Sequence, residues 1–133
     1  MYIFQRLVLL KNSIDEIQPD SFVATAYGGC CSNLQHLDLS DNGLERLSER
    51  AFAGLDQLET LNLTENNFRD IPTPALEPLI HLSYLDLSDN TIKRVPNSAF
   101  YKNEKLNELG LKGCGLSKIE NNAFQSLGNT LFQ

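Results

Sequence analysis

The chain is poor in the residue types that carry most protein chemistry. Its 133 residues include three cysteines, two histidines, one methionine and no tryptophan. Cys30 and Cys31 are neighbours and Cys114 is distant. That odd, sparse set makes no disulfide framework, and with two separated histidines it makes no zinc-ligand pattern. Positive charge is also scarce. Eleven Lys and Arg against 17 Asp and Glu leave a net charge of −6, which argues against nucleic acid as a partner, because phosphate binding needs a basic surface. No apolar run reaches the roughly 18 residues a membrane-spanning helix requires. Met1–Leu10 is apolar but contains Arg6 and stops at Lys11. It is too short for a secretory signal and lacks a small-residue cleavage site, so any export signal is expected outside this chain.

What is present is repetition. Leu-Asp-Leu-Ser-Asp-Asn occupies Leu37–Asn42 and recurs letter for letter at Leu85–Asn90, with Leu-Asn-Leu-Thr-Glu-Asn between them at Leu61–Asn66. The starts lie 24 residues apart, and such a period means one short unit stacked repeatedly. A Leu-x-x-Leu-x-Leu-x-x-Asn frame lays down five units, at about 4–33, 34–57, 58–81, 82–105 and 106–129, in a single domain spanning 1–133. A sixth begins near Leu131–Phe132. The frame departs from itself in three places. The first unit carries six extra residues in 23–32, where Gly28-Gly29 marks a loop; Asn103 stands where a Leu is expected; and Cys114 stands where the others have Asn.

Leu-x-Leu has the two-residue alternation of a short strand with one buried face. One unit cannot bury its own leucines, whereas a stack shares a continuous core, with parallel strands roughly 4.8 Å apart. Bulkier return segments put the strands on the inner, concave side. Pro72, Pro74 and Pro78 predict an extended or irregular third return segment rather than a helical one. Asn12, Asn42, Asn66 and Asn90 sit where each unit turns inward. An Asn amide both donates and accepts, and is expected to satisfy backbone groups of its own and the next unit.

This pattern resembles the leucine-rich repeat family over nearly the whole chain. The 24-residue period with Phe late in the unit resembles the subtype common in extracellular proteins: Toll-type receptors, chaoptin-like adhesion proteins and small leucine-rich proteoglycans. The resemblance implies an α/β fold, a right-handed solenoid (horseshoe) with a parallel β-sheet on its concave face. It also implies a non-enzymatic recognition role and no cofactor. Extracellular members usually close both ends with cysteine-bearing caps, and neither is recognisable here. The expectation is a segment of a larger protein, or a short protein that self-associates through its uncapped ends.

The residues between the strand leucines face out of the concave surface. Strand by strand they are Arg6, His36, Thr60, Tyr84 and Glu108, then Val8, Asp38, Asn62, Asp86 and Gly110. An edge column follows: Lys11, Asp41, Glu65, Asp89 and Gly113. The candidate partner-binding set is therefore His36, Asp38, Asp41, Thr60, Asn62, Glu65, Tyr84, Asp86, Asp89 and Glu108, a surface for a protein ligand with basic residues. Tyr84 is the expected anchor, since aromatic residues dominate interface energetics. The bland alternative is that Asp and Ser here are only the family's default spelling and keep the surface soluble.

Other chemistries fit less well. His36, Asp38 and Ser40 suggest a triad, but on an open surface without oxyanion donors. Asp41, Glu65 and Asp89 are oxygen ligands spread too far along the stack to share one ion. Asn62-Leu63-Thr64 is a candidate N-glycosylation triplet, and a glycan there would block the concave face. Cys30 and Cys31 are either two free thiols in a loop or a vicinal disulfide. By strand spacing the concave face offers only about 400 Å², half the usual footprint of about 800 Å² per partner. Three functions compete: an extracellular or cell-surface adhesion or receptor segment, an intracellular scaffold or regulatory subunit, and a matrix protein assembling through its ends. The repeat subtype favours the first.

Overall fold

The structure, a computed structural model, describes residues 4–26 and 29–127. The sixth unit expected near Leu131–Phe132 lies outside them. Five strands form one parallel sheet: β1 (Arg6–Val8), β2 (His36–Asp38), β3 (Thr60–Asn62), β4 (Tyr84–Asp86) and β6 (Glu108–Gly110). A four-residue helix, α1 (Thr73–Leu76), precedes β4. A smaller parallel pair, β5 (Arg94–Val95) and β7 (Lys118–Ile119), lies after the strand turns of the last two units.

Register follows the repeat. Leu7, Leu37, Leu61, Leu85 and Leu109 are direct neighbours across the sheet. The three middle leucines are sealed beneath their strands, with Leu37 2% exposed and Leu61 and Leu85 at 0%, while Leu7 and Leu109 are partly buried. Burying a leucine fully stabilises by roughly 1.5–3 kcal/mol, so one slipped residue would turn the apolar set outward and is strongly disfavoured. Hydrogen bonding continues beyond the short strands: Leu39 and Asp41 donate to Asn62 O and Thr64 O, and Leu63 and Glu65 to Asp86 O and Ser88 O.

Late-unit aromatics fill the space between sheet and return segments. Phe52 and Phe100 are wholly buried, with Phe52 tilted against Phe22 at 6.4 Å and Phe100 stacked on Phe124 at 6.3 Å.

Three expectations are corrected. The third return segment contains α1, the α-helix of the described residues, although prolines were expected to exclude one. Pro74 falls in its first turn, where the missing amide hydrogen would have no helical acceptor and the fixed φ favours the helix. Cys31, expected in the inserted loop, is fully buried. Its carbonyl accepts from Leu34 as those of Leu55, Leu79 and Asn103 do from Leu58, Leu82 and Leu106, so it fills their slot. The Asn column serves the preceding unit rather than the next.

Candidate functional site

The Asn column is the frame on which the sheet face is built. Asn66 Nδ2 donates to Leu63 O and Thr64 O of its own unit and to Leu39 O of the unit before, while its Oδ1 accepts from Leu44 N at 3.1 Å. Asn42 and Asn90 repeat this, closing on Leu9 O and Ile14 N, and on Leu63 O and Phe68 N. Among the described residues Asn12 bonds only to Leu9 O and Leu10 O in its own unit, and it is exposed. Cys114 is buried and supplies the donor half, its thiol reaching Leu87 O at 3.2 Å. Asn103 is explained as well: its side chain donates to Leu76 O and Leu79 O at 2.9 and 3.1 Å, satisfying carbonyls at the end of the α1 segment.

The structure brings the first solvent-facing column together as expected, with Arg6, His36, Thr60, Tyr84 and Glu108 directly adjacent on successive strands. The Thr60 hydroxyl and His36 Nδ1 are hydrogen-bonded to each other across the two strands, and the hydroxyl also lies 3.5 Å from Gln35 O. The Tyr84 hydroxyl donates to Asp86 Oδ2 at 3.2 Å. Burial, followed by the charge and hydrogen bond of Asp86, pushes the Tyr84 phenol above its ordinary value.

The second column, Asp38, Asn62 and Asp86, has a structural job that reading the residues as solubilising surface missed. Asp38 Oδ1 accepts from both the amide and the hydroxyl of Ser40. Asn62 Oδ1 accepts likewise from Thr64, and Asp86 Oδ1 from the Ser88 amide. Each side chain thereby closes the turn that ends its strand. Any Asp or Asn followed two residues later by Ser or Thr serves, so the turn itself accounts for the Asn62-Leu63-Thr64 triplet. The triad geometry is not assembled either, because Ser40 gives its hydrogen to Asp38 and His36 bonds Thr60.

The edge column is conformational. Lys11, Asp41, Glu65 and Asp89 all have φ between 52° and 59°, and Gly113 has 71°. This left-handed region is costly for residues with a Cβ, and it is where each chain leaves the sheet. Asp41 is half-buried, while Glu65 and Asp89 are exposed. Cys30 is exposed beside buried Cys31, and their sulfurs meet in the arrangement of a vicinal disulfide. Among the described residues no three His, Cys, Asp or Glu are grouped to hold a metal ion, and no helix is long and apolar enough to cross a membrane.

Stacked repeats that share one core, one in-register sheet and one Asn column define a parallel β-solenoid. The chain matches the leucine-rich repeat family model at residues 4–68, 56–116 and 80–132, and it belongs to that family. It is similar to a solved structure of the Toll–Spatzle complex from Drosophila, a molecular hub in development and innate immunity. The TM-score is 0.75 at 24% identity, covering 89% of this chain and 15% of that one. The chain therefore spans a small part of that relative's length, and the likeness is one of fold. None of the curated proteins compared matches it.

Proposed function

We propose that the chain is a non-enzymatic protein–protein recognition module, part of an extracellular or cell-surface adhesion or receptor protein, binding through its concave sheet face. One observation carries this. In the three middle units every solvent-facing sheet and edge position is polar, acidic or aromatic, with no Lys or Arg, and their side chains stand in register on one rigid surface. Such a face complements a ligand with basic residues, steering approach and setting orientation. The 24-residue subtype supports the extracellular setting, and the reading requires Asn62 to remain free of glycan.

The test begins with proximity labelling around the chain displayed on animal cells, followed by purified two-component binding. Replacing His36, Tyr84 and Glu108 by Ala removes no hydrogen bond of the Asn column. It is expected to weaken partner binding roughly tenfold or more while leaving its salt dependence, set by the middle-unit carboxylates, largely in place. Ile80→Glu, on the exposed return side, is expected to leave binding unchanged. The reverse outcome overturns the concave reading. Mass spectrometry of the secreted chain should find Asn62 unmodified.

A further inference from the structure

Asn42 is the member of the Asn column that glycine follows, whereas Ser13, Asn67 and Thr91 stand after Asn12, Asn66 and Asn90. Nothing in the fold asks for that glycine. Its φ lies outside the left-handed region that Gly54, Gly113 and Gly115 occupy, and an added Cβ would meet nothing nearer than Ile14 O at 3.7 Å. Asn followed by glycine cyclises readily, because no side chain hinders approach of the glycine nitrogen to the carboxamide carbon.

What restrains the pair comes from the first unit. The Gly43 amide, which would be the nucleophile, donates to Ile14 O at 2.9 Å. The Asn42 carboxamide is held at both ends, with Oδ1 accepting from Ile14 N and Nδ2 donating to Leu9 O, each at 3.0 Å. All three restraints cross one boundary, and the unit that supplies them is its weaker side. Leu7, Leu9 and Ile14 are only partly buried, whereas Leu37, Leu39 and Leu44 of the second unit are sealed. Segments with little buried apolar surface open more often than the core.

We infer that Asn42–Gly43 is a latent deamidation site, gated by docking of the first unit on the second. When the units part, the Gly43 nitrogen attacks Asn42 Cγ. A new C–N bond forms and the Cγ–Nδ2 bond breaks, the Gly43 amide proton leaving in the released ammonia. Water then opens the succinimide at one of its two carbonyls, giving aspartate or isoaspartate. Neither product refits. Aspartate takes one donor from each of Leu9 O, Leu39 O and Ser40 O and sets a negative charge against them. Isoaspartate also adds a carbon to the main chain where it leaves the sheet. The reaction therefore locks the first unit open. With it goes the Arg6, Leu7 and Val8 wall of a depression of about 290 Å³ on the sheet face.

The experiment incubates the full chain in mildly alkaline buffer, folded and in urea, and follows Asn42 by peptide mass spectrometry with fragmentation that separates isoaspartate. Conversion is expected to be fast in urea, slow in the folded chain, and severalfold slower in urea for Gly43→Ala. Leu7→Ala loosens the first unit without removing a restraining group, and should speed conversion of the folded chain roughly tenfold. Leu109→Ala, its counterpart in the last unit, should not. Slow exchange of the Leu63 amide confirms that the rest of the Leu7→Ala chain is folded. A chain that stays unconverted in urea overturns the site. Equal rates folded and in urea overturn the gate, as does failure of Leu7→Ala to accelerate conversion or equal acceleration by Leu109→Ala. In the deamidated chain, separated by ion exchange, hydrogen exchange should quicken at Leu9, Lys11 and Gly43, whose amides bridge the first two units, and stay slow at Leu63 and Glu65. Retained protection at Leu9, Lys11 and Gly43 overturns the lock.

Discussion

The carboxamide oxygen of Asn66 accepts the amide hydrogen of Leu44, 22 residues earlier, at 3.1 Å. A side chain of one unit thus completes the backbone of the unit before it, and the same relation joins Asn90 to Phe68 and Asn42 to Ile14. The solenoid is therefore held by directional contacts as well as by its apolar core.

Loss of this contact should depend on position. Asn66→Ala leaves the Leu44 amide without its acceptor in a buried setting and takes one of two donors from Leu39 O, Leu63 O and Thr64 O, and is expected to cost about 1–3 kcal/mol. Asn12→Ala, exposed and bonded only within its own unit, should cost under about 0.5 kcal/mol. Urea denaturation of both variants measures the difference, and equal losses would contradict the inter-unit role.

Asn103→Leu restores the repeat's apolar pattern yet should destabilise the chain. Leu76 O and Leu79 O both lose their side-chain donor, at a net cost of about 1–2 kcal/mol after the gain in apolar burial. A raised denaturation midpoint for this variant would show that the carbonyls are satisfied without Asn103.

The edge column should respond to backbone preference rather than charge. Gly113→Glu places a Cβ in the left-handed region and against the Asp89 carboxylate, and is expected to cost at least about 1–2 kcal/mol. Glu65→Gly should stabilise by about 0.5–1 kcal/mol, because relief of the left-handed conformation exceeds the added chain entropy. Thermal unfolding at high salt, where charge effects are screened, separates the two causes.

Tyr84 should titrate late. Its folded phenol lies above the ordinary value through burial and Asp86. Its contribution to stability is thus intact below about pH 10, the unfolded value, and is lost as pH rises through the folded one. In Asp86→Asn the Tyr84 transition, followed by phenolate absorbance, should move to lower pH. Tyr101, raised chiefly by its hydrogen bond to Glu77, should stay where it is.

Much of the fold was legible because two signals repeat in phase. Leucines at alternate positions make a strand with one buried face, and their 24-residue recurrence fixes which strand neighbours which. The order of the five-stranded sheet and its Leu7-to-Leu109 register follow. The face carrying His36, Asp38, Asn62, Tyr84 and Asp86 was legible for the same reason, since alternation assigns each side chain to one side. The helix at Thr73–Leu76 was not, because proline excludes a helix interior but suits a first turn, and residue identity alone does not say which turn is which. Cys31 read as a loop thiol because the insertion hides its spacing; counting three residues back from Leu34, as from Leu58 to Leu55, would have found its slot.

By itself the sequence determined the repeat, the apolar core and the membership of each outward column, all consequences of periodicity. Only the tertiary structure decided what the polar residues do, because a side chain's hydrogen-bond partner depends on which backbone groups the neighbouring unit leaves unsatisfied. It turned the Asn column toward the preceding unit and gave Asn103 its two carbonyls. It also showed that Asp38 and Asp86 each commit one oxygen to a strand-ending turn, which holds both carboxylates fixed on the sheet face.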